Sequence, residues 1–267
     1  MNTIQRLAAG KFQKLEIQRY LIVESLIFWG LILICWIIYP KENQYSILTH
    51  TFSFLGSFEK YHNPEGWWLF TVAMVFWGAA TIPVVFFLCR CFAVISRWAA
   101  GIGAMLFLAG CLGIALVGLF PDAHGNVIGE WEWTDIHEKA SIAVAAGFTL
   151  GILWHGLMLM VDRYVLGTRL GKAGINYKKL LWPYVFWGIV VSVAVHFQIQ
   201  SALYYAHLKA AAQAAGEPIG SQWAETIGTR YSFPLWENIV IYTLFIFIVW
   251  FALAVSGIRA PQDKVPS

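Results

Sequence analysis

Charge is scarce in this chain. Asp, Glu, Lys and Arg make up 12% of its 267 residues, against 59% for hydrophobic types. Soluble domains carry about 25% charged residues, so a soluble globular fold is excluded: too little polar surface exists to cover so much apolar side chain. Cysteine is sparse too. The four residues Cys35, Cys89, Cys91 and Cys111 all fall inside apolar runs, which excludes an extracellular disulfide framework and leaves them as small apolar fillers. Cys89 and Cys91 stand two apart and would leave a helix on different sides, which argues against a metal or redox pair. There is no internal repeat, no low-complexity tract, no separate soluble domain and no paired His motif of the H-E-x-x-H or H-x-x-x-H kind. A nucleic-acid partner is not expected.

What is present is a set of long apolar runs. Crossing about 30 Å of hydrocarbon takes roughly 20 helical residues, and six segments are long enough: 19–40, 66–93, 96–120, 137–161, 181–207 and 236–257. A lone strand in lipid leaves backbone groups unpaired, and no ten-residue alternation of the barrel type occurs, so the fold class is all-α, a polytopic bundle of six transmembrane helices.

Lys and Arg divide 13 to 5 between the two sides of such a bundle. One side holds Arg6, Lys11, Lys14, Arg19, Arg90, Arg97, Arg163, Arg169, Lys172, Lys178, Lys179, Arg259 and Lys264; the other holds Lys41, Lys60, Lys139, Lys209 and Arg230. Cytoplasmic segments keep positive charge during insertion, so both termini are expected in the cytoplasm. The first run is too long for a signal-peptide core and lacks a small-residue cleavage pattern, so it is read as an anchor in a bacterial inner membrane. Residues 1–18 form an amphipathic basic segment: Ile4, Leu7, Ala8, Phe12 and Leu15 share a face, as in a helix lying on an anionic leaflet, though a plain basic flank that sets topology fits equally. Residues 258–267 are read as a cytoplasmic tail.

In lipid, helices approach closely where small residues allow it. Gly101, Gly103, Gly110, Gly113 and Gly118 in the third run, with Ala140, Ala143, Gly147 and Gly151 in the fourth, predict a tight pair. Most of the fourteen tryptophans sit near run ends, as interfacial belts do. Trp131 and Trp133 would rest on headgroups or roof a pocket.

Ionisable groups within spans are costly and mark candidate sites. Glu24 and His155 are expected at similar depth near the cytoplasmic side, as a structural hydrogen bond or as steps of a proton relay. Ser192, His196 and Gln200 share one face of the fifth span, predicted to line the bundle interior. Between spans three and four, Phe120 to Ser141 reads FPDAHGNVIGEWEWTDIHEKAS and holds five of the fifteen carboxylates and two of the seven histidines. Six histidines (His50, His62, His124, His137, His196 and His207) belong to the outer half. Imidazole and carboxylate oxygen suit zinc or another divalent metal, and the expected ligands are His50, Asp122, His137 and His196. The bland alternatives are a turn-capping Asp122 beside a solvated His124, and an acid favouring a helix N-terminus at Glu138. A bis-histidine haem would need His155 and His196 at one depth, which their positions do not match.

The order SFLG at 53–56, NPEGWWLF at 63–70, GLFP at 118–121, then Asp122, His137 and Ala140, resembles the six-helix membrane family catalogued as domain of unknown function 998, and more distantly the Frag1/DRAM/Sfk1 membrane proteins. The resemblance implies a six-helix bundle whose outer-face motif residues are Ser53, Gly56, Asn63, Pro64, Phe120, Pro121 and His137. It implies no established reaction, but its distant relatives point toward lipids. The leading expectation is a pocket of His50, Ser53, Asp122, His137 and His196 that binds or acts on a lipid or lipid-linked substrate, as a metal-assisted hydrolase or transferase. In it an ion or a histidine would activate water or Ser53, and a carboxylate would orient the base. The alternatives are a non-catalytic accessory subunit of a larger membrane complex and, third, a transporter.

Overall fold

A computed structural model of the chain describes residues 2–257. The expected tail at 258–267, with Arg259 and Lys264, and Met1 lie outside the described residues. Among the described residues six helices are long and apolar enough to cross a membrane. They are α2 (Lys14–Ile37), α3 (Trp67–Phe92), α4 (Arg97–Leu119), α5 (Trp133–Tyr164), α7 (Tyr177–Ala215) and α9 (Phe233–Val255). Short helices α1 (Thr3–Ala8), α6 (Arg169–Lys172) and α8 (Gln222–Thr226) lie in the connections. With the spans alternating in direction, connections 38–66, 120–132 and 216–232 share one end of the bundle, called here the loop end.

Chain order sets the packing of the first four spans: α3 lies between α2 and α4, and α4 is followed by α5. Small residues bring α4 and α5 together as their spacing predicts. A Cβ on Gly147 would come within 2.5 Å of the Gly110 backbone, and Gly113 faces the Ala140 carbonyl and Val144. Gly151 sits against the Phe107 ring and Gly103 against His155. Gly118 belongs instead to the α3 contact, against Met74 and Thr71, and Gly101 meets nothing within 4 Å. Pro83 stands inside α3 without ending it. The centre is filled by rings: Phe28 stacks on Phe245 at 5.1 Å, with Trp77 at 4.8 Å from Phe28.

Two elements differ from expectation. The N-terminal segment is not one amphipathic helix: α1 stops, Gly10 turns the chain at φ +68° against the Phe86 and Phe87 backbone, and Phe12 is buried edge-on to Phe87. Burying that ring outweighs a continuous surface face, and Arg6 closes the turn by pairing with Glu16. Helix α7 runs 39 residues, roughly 58 Å at 1.5 Å per residue, well past the expected end near residue 207. Residues 208–215, LKAAAQAA, are good helix formers, so the helix continues until Gly216 adopts φ +70°.

Helix α7 packs chiefly on α9, and its buried residues are Leu180, Pro183, Ala194 and Ser201. His196 stands two residues from Ala194, about 200° around the helix at 3.6 residues per turn. Ser192 and His196 are therefore exposed, with Gln200 half-buried, and the predicted interior polar face is corrected to an outward one.

Candidate functional site

The site is built at the loop end, where connection 38–66 folds back into the bundle. Residues Phe52–Gly56 form a 3-10 turn, held from three sides. Asn63, fully buried, donates from Nδ2 to the Leu55 carbonyl at 2.8 Å. Gly56 lies flat on the Phe70 ring, where a Cβ would sit 2.1 Å from Cδ1. Asn238 of α9 donates to the His50 carbonyl at 3.0 Å and accepts from Tyr45 at 2.8 Å and Tyr242 at 3.1 Å. These contacts explain why a five-residue turn can hold a buried hydroxyl in place.

That hydroxyl is Ser53. Its Oγ donates to Asp122 Oδ2 at 3.0 Å, and Thr51 Oγ1 lies 2.9 Å away. With the Ser53 proton directed at the carboxylate, Thr51 is the donor to Ser53, giving a chain Thr51 to Ser53 to Asp122. His137, one turn into α5, is 5% exposed. Its Nδ1 lies 2.8 Å from the Phe120 carbonyl, which only accepts, so Nδ1 is the nitrogen that carries a proton in this contact. The carboxylate expected to orient a histidine thus holds the Ser53 hydroxyl instead, and a backbone carbonyl fixes the His137 ring.

Ser53 and His137 both line a cavity of about 350 Å³ between α3, α4, α5 and α9. Ligand sites typically occupy about 300–1,000 Å³. Most of the wall is apolar, with Phe70, Met74, Trp77, Val117 and Leu244 among its residues; the polar ones are Ser53, His137, Ser141 and Glu237. Two wall residues are also exposed on the bundle surface, Ile142 of α5 at 66% and Phe233 of α9 at 46%. The wall of the cavity therefore reaches the bundle surface at α5 and α9.

The five residues singled out from the sequence separate into three groups. Ser53 and His137 line the cavity, and Asp122 is bonded to Ser53. His50 lies behind it, its ring packed by Tyr39 at 5.5 Å and Tyr45 at 5.6 Å and its Nδ1 2.8 Å from Thr49 Oγ1. His196 is exposed on α7, in ring contact with Phe197. The expected ligand set of His50, Asp122, His137 and His196 is consequently not assembled. Among the described residues no group of three or more His, Cys, Asp or Glu side chains could hold a metal ion. The donors present do not fit zinc or another divalent metal. Nor do His155 and His196 face each other for haem: His155 is fully buried, stacked on Phe107 at 4.9 Å.

Glu24 and His155 do not pair either. Glu24 accepts from Thr81 at 3.0 Å, and His155 Nδ1 lies 2.8 Å from the Gly151 carbonyl one turn back. In the loops, burial pushes the His50 and His62 imidazoles below their usual value; at His62 the nearby Asp122 and Glu59 carboxylates oppose the shift. His124 is exposed, its backbone amide donating to Glu59 at 2.9 Å. Trp131 is exposed, with Lys139 Nζ 3.7 Å over its ring.

Glu237 and Asn238 are noticeable in the sequence as polar residues opening the sixth apolar run at the level of the outer histidines, but they are not among the expected site residues, and the roles of cavity wall and of pin between α9 and the 3-10 turn come from the structure. The available signal was an acid and an amide at the start of an apolar run, where a lipid-facing residue would be apolar.

Six helices long and apolar enough to cross a bilayer, four of them lining one cavity, point to a multi-pass membrane protein. The chain matches no family model, no curated protein and no solved structure.

Proposed function

We propose that the protein lies in a bacterial inner membrane with both termini in the cytoplasm, and that its cavity, in the outer half, takes up a lipid or lipid-linked substrate sideways from the bilayer and acts on it. The carrying observation is the 350 Å³ apolar cavity whose wall reaches the bundle surface at Ile142 and Phe233 and includes Ser53, His137 and Glu237. An acyl chain would occupy the apolar part and its linkage would meet the polar residues. The reading agrees with the resemblance to the domain of unknown function 998 family, since its motif residues Ser53, Gly56, Asn63, Phe120 and His137 supply or support this wall.

The reaction that suits these groups is hydrolysis or acyl transfer without a metal. His137 Nε2 takes a proton from water or from an acceptor hydroxyl as its oxygen bonds to the substrate carbonyl carbon. The same proton then passes to the leaving alcohol as the ester carbon–oxygen bond breaks. Ser53, fixed by Asp122 and Thr51, lies in the same wall, where its hydroxyl contacts the linkage. His137→Ala and Ser53→Ala are expected to change cellular lipid composition, with loss of turnover on the order of 10²-fold or more for the base, while His196→Ala leaves it unchanged. Normal expression with unaltered lipids in both cavity variants would exclude catalysis.

A second reading, a non-catalytic accessory subunit, draws on one observation: Ser192 and His196 are exposed on α7, within a span. Polar groups facing lipid are costly, and another subunit would cover them. Stoichiometric co-purification of partner chains in mild detergent supports this reading over the first.

A further inference from the structure

The polar wall of the cavity is one-sided in charge. Ser53, His137, Ser141 and Glu237 are its polar residues, and no Lys or Arg is among the residues that line it. Asp122 stands directly behind Ser53 at 3.0 Å, outside the lining itself. Glu237 is thus the acidic group in the wall at one end of an apolar chamber whose lining offers no cation. A phosphate or carboxylate head brought here would meet acidic side chains and no positive partner, which disfavours binding.

Glu237 has a second peculiarity. Its Oε2 is buried without a hydrogen-bond partner among the described residues. Buried polar atoms in folded proteins nearly always find a partner, and an unpaired buried carboxylate oxygen is especially costly. The neighbouring residue Asn238 shows the contrast, with its Nδ2 and Oδ1 both hydrogen-bonded. An acceptor left open in a cavity wall is completed by a donor, and the donor that also complements an acidic side chain in a lining without Lys or Arg is an ammonium group.

We propose that the cavity selects an amphiphile whose head carries a primary ammonium, seated against Glu237, with its chain along Trp77, Met74 and Leu244. This rests on the lipid-cavity reading above and adds the chemistry of the head. Free long-chain amines and ethanolamine phospholipids share that group, and the phosphate of the latter would have to remain toward the mouth.

The test uses the full chain in detergent or nanodiscs and a photoactivatable long-chain alcohol as probe, with crosslinked peptides mapped by mass spectrometry. Competitors of one chain length carry an amine, a hydroxyl, a carboxylate or a phosphate head, and a lyso-ethanolamine phospholipid forms a fifth arm. The expected result is protection of α3 and α9 peptides by the amine at roughly tenfold or more lower concentration than by the carboxylate or phosphate, as loss of a charge-assisted contact implies. Protection by the lyso-phospholipid at the amine's concentration identifies the phospholipid as a source of the group; protection by the amine alone identifies the free amine. Glu237→Gln abolishes the amine's advantage and leaves the alcohol's own binding intact, which also reports that the variant is folded. Should that variant fail to fold, the wild-type head series decides. Equal protection by carboxylate and amine, or an undiminished amine advantage in a folded Glu237→Gln, overturns the ammonium proposal while leaving the lipid cavity standing. Absence of any crosslink to cavity peptides removes both.

Discussion

Each polar residue near the cavity is defined by what its second hydrogen-bonding position does. His137 lines the cavity with Nδ1 held at the Phe120 carbonyl, whereas His50 has Nδ1 occupied by Thr49 and its ring enclosed by tyrosines. The same residue type therefore lines the cavity in one place and packs a loop in the other. Burial lowers the His50 and His62 values from 6.5. Below pH 6.5 the unfolded chain binds protons that the folded rings resist, so stability present at neutral pH is lost as pH falls from there toward the folded values. Thermal unfolding in detergent across this range is expected to show Tm decreasing with acid, and His62→Gln with His50→Gln should flatten the slope. A Tm that rises on acidification from pH 6.5 would contradict this assignment.

At the scale of elements, the helix pair α4 and α5 matters most because it carries both ends of the stretch holding Phe120, Asp122 and His137. Its closeness was readable in advance, since glycine spacing on two successive apolar runs has few other uses in lipid. Gly147 touches the Gly110 backbone, so no side-chain rearrangement can relieve a larger residue there. Gly147→Leu is expected to cost at least about 1–3 kcal/mol, the range for overpacked cores, and to reduce probe crosslinking in the cavity together with thermal stability. Retained Tm and crosslinking would mean that the pair is looser than it looks. Helix α7 teaches the reverse lesson. Ser192, His196 and Gln200 share a helical stripe as their spacing requires, but spacing does not say which stripe meets a neighbour. Ala194 and Ser201 pack inward because they are small enough for α9 to approach, and the polar stripe is turned out as a result.

For the whole molecule, the topology proposed from the distribution of Lys and Arg has the loop end facing away from the cytoplasm, an orientation open to direct measurement. Asn126 lies in strand β1 (Asn126–Ile128), paired with β2 (Trp131–Glu132) in the hairpin at that end, and it is exposed. Asn126→Cys in intact cells should react with a membrane-impermeant maleimide, whereas a cysteine at exposed Gly167, in the connection from α5 to α7, should react only after the membrane is opened. Cys35, Cys91 and Cys111 are buried and Cys89 is half-buried, so the unmodified protein serves as background. The opposite labelling pattern would invert the topology and move the cavity to the cytoplasmic half.

The sequence by itself determined the six spans, the α4–α5 contact and three residues that meet at or beside the cavity, Ser53, Asp122 and His137. It could do so because hydrocarbon thickness, backbone hydrogen bonding and small-residue packing act on local composition and spacing, which a linear string records. Only the tertiary structure decided that Asp122 holds Ser53, that His50 is walled in by Tyr39 and Tyr45, that His196 is turned outward, and that Glu237 completes the wall. The packing of His50 is local to one connection, but the others depend on how the 3-10 turn, the loop after α4 and the helix ends meet across separations such as 69 and 188 residues of chain, and such long-range meetings leave no period in the sequence to be read.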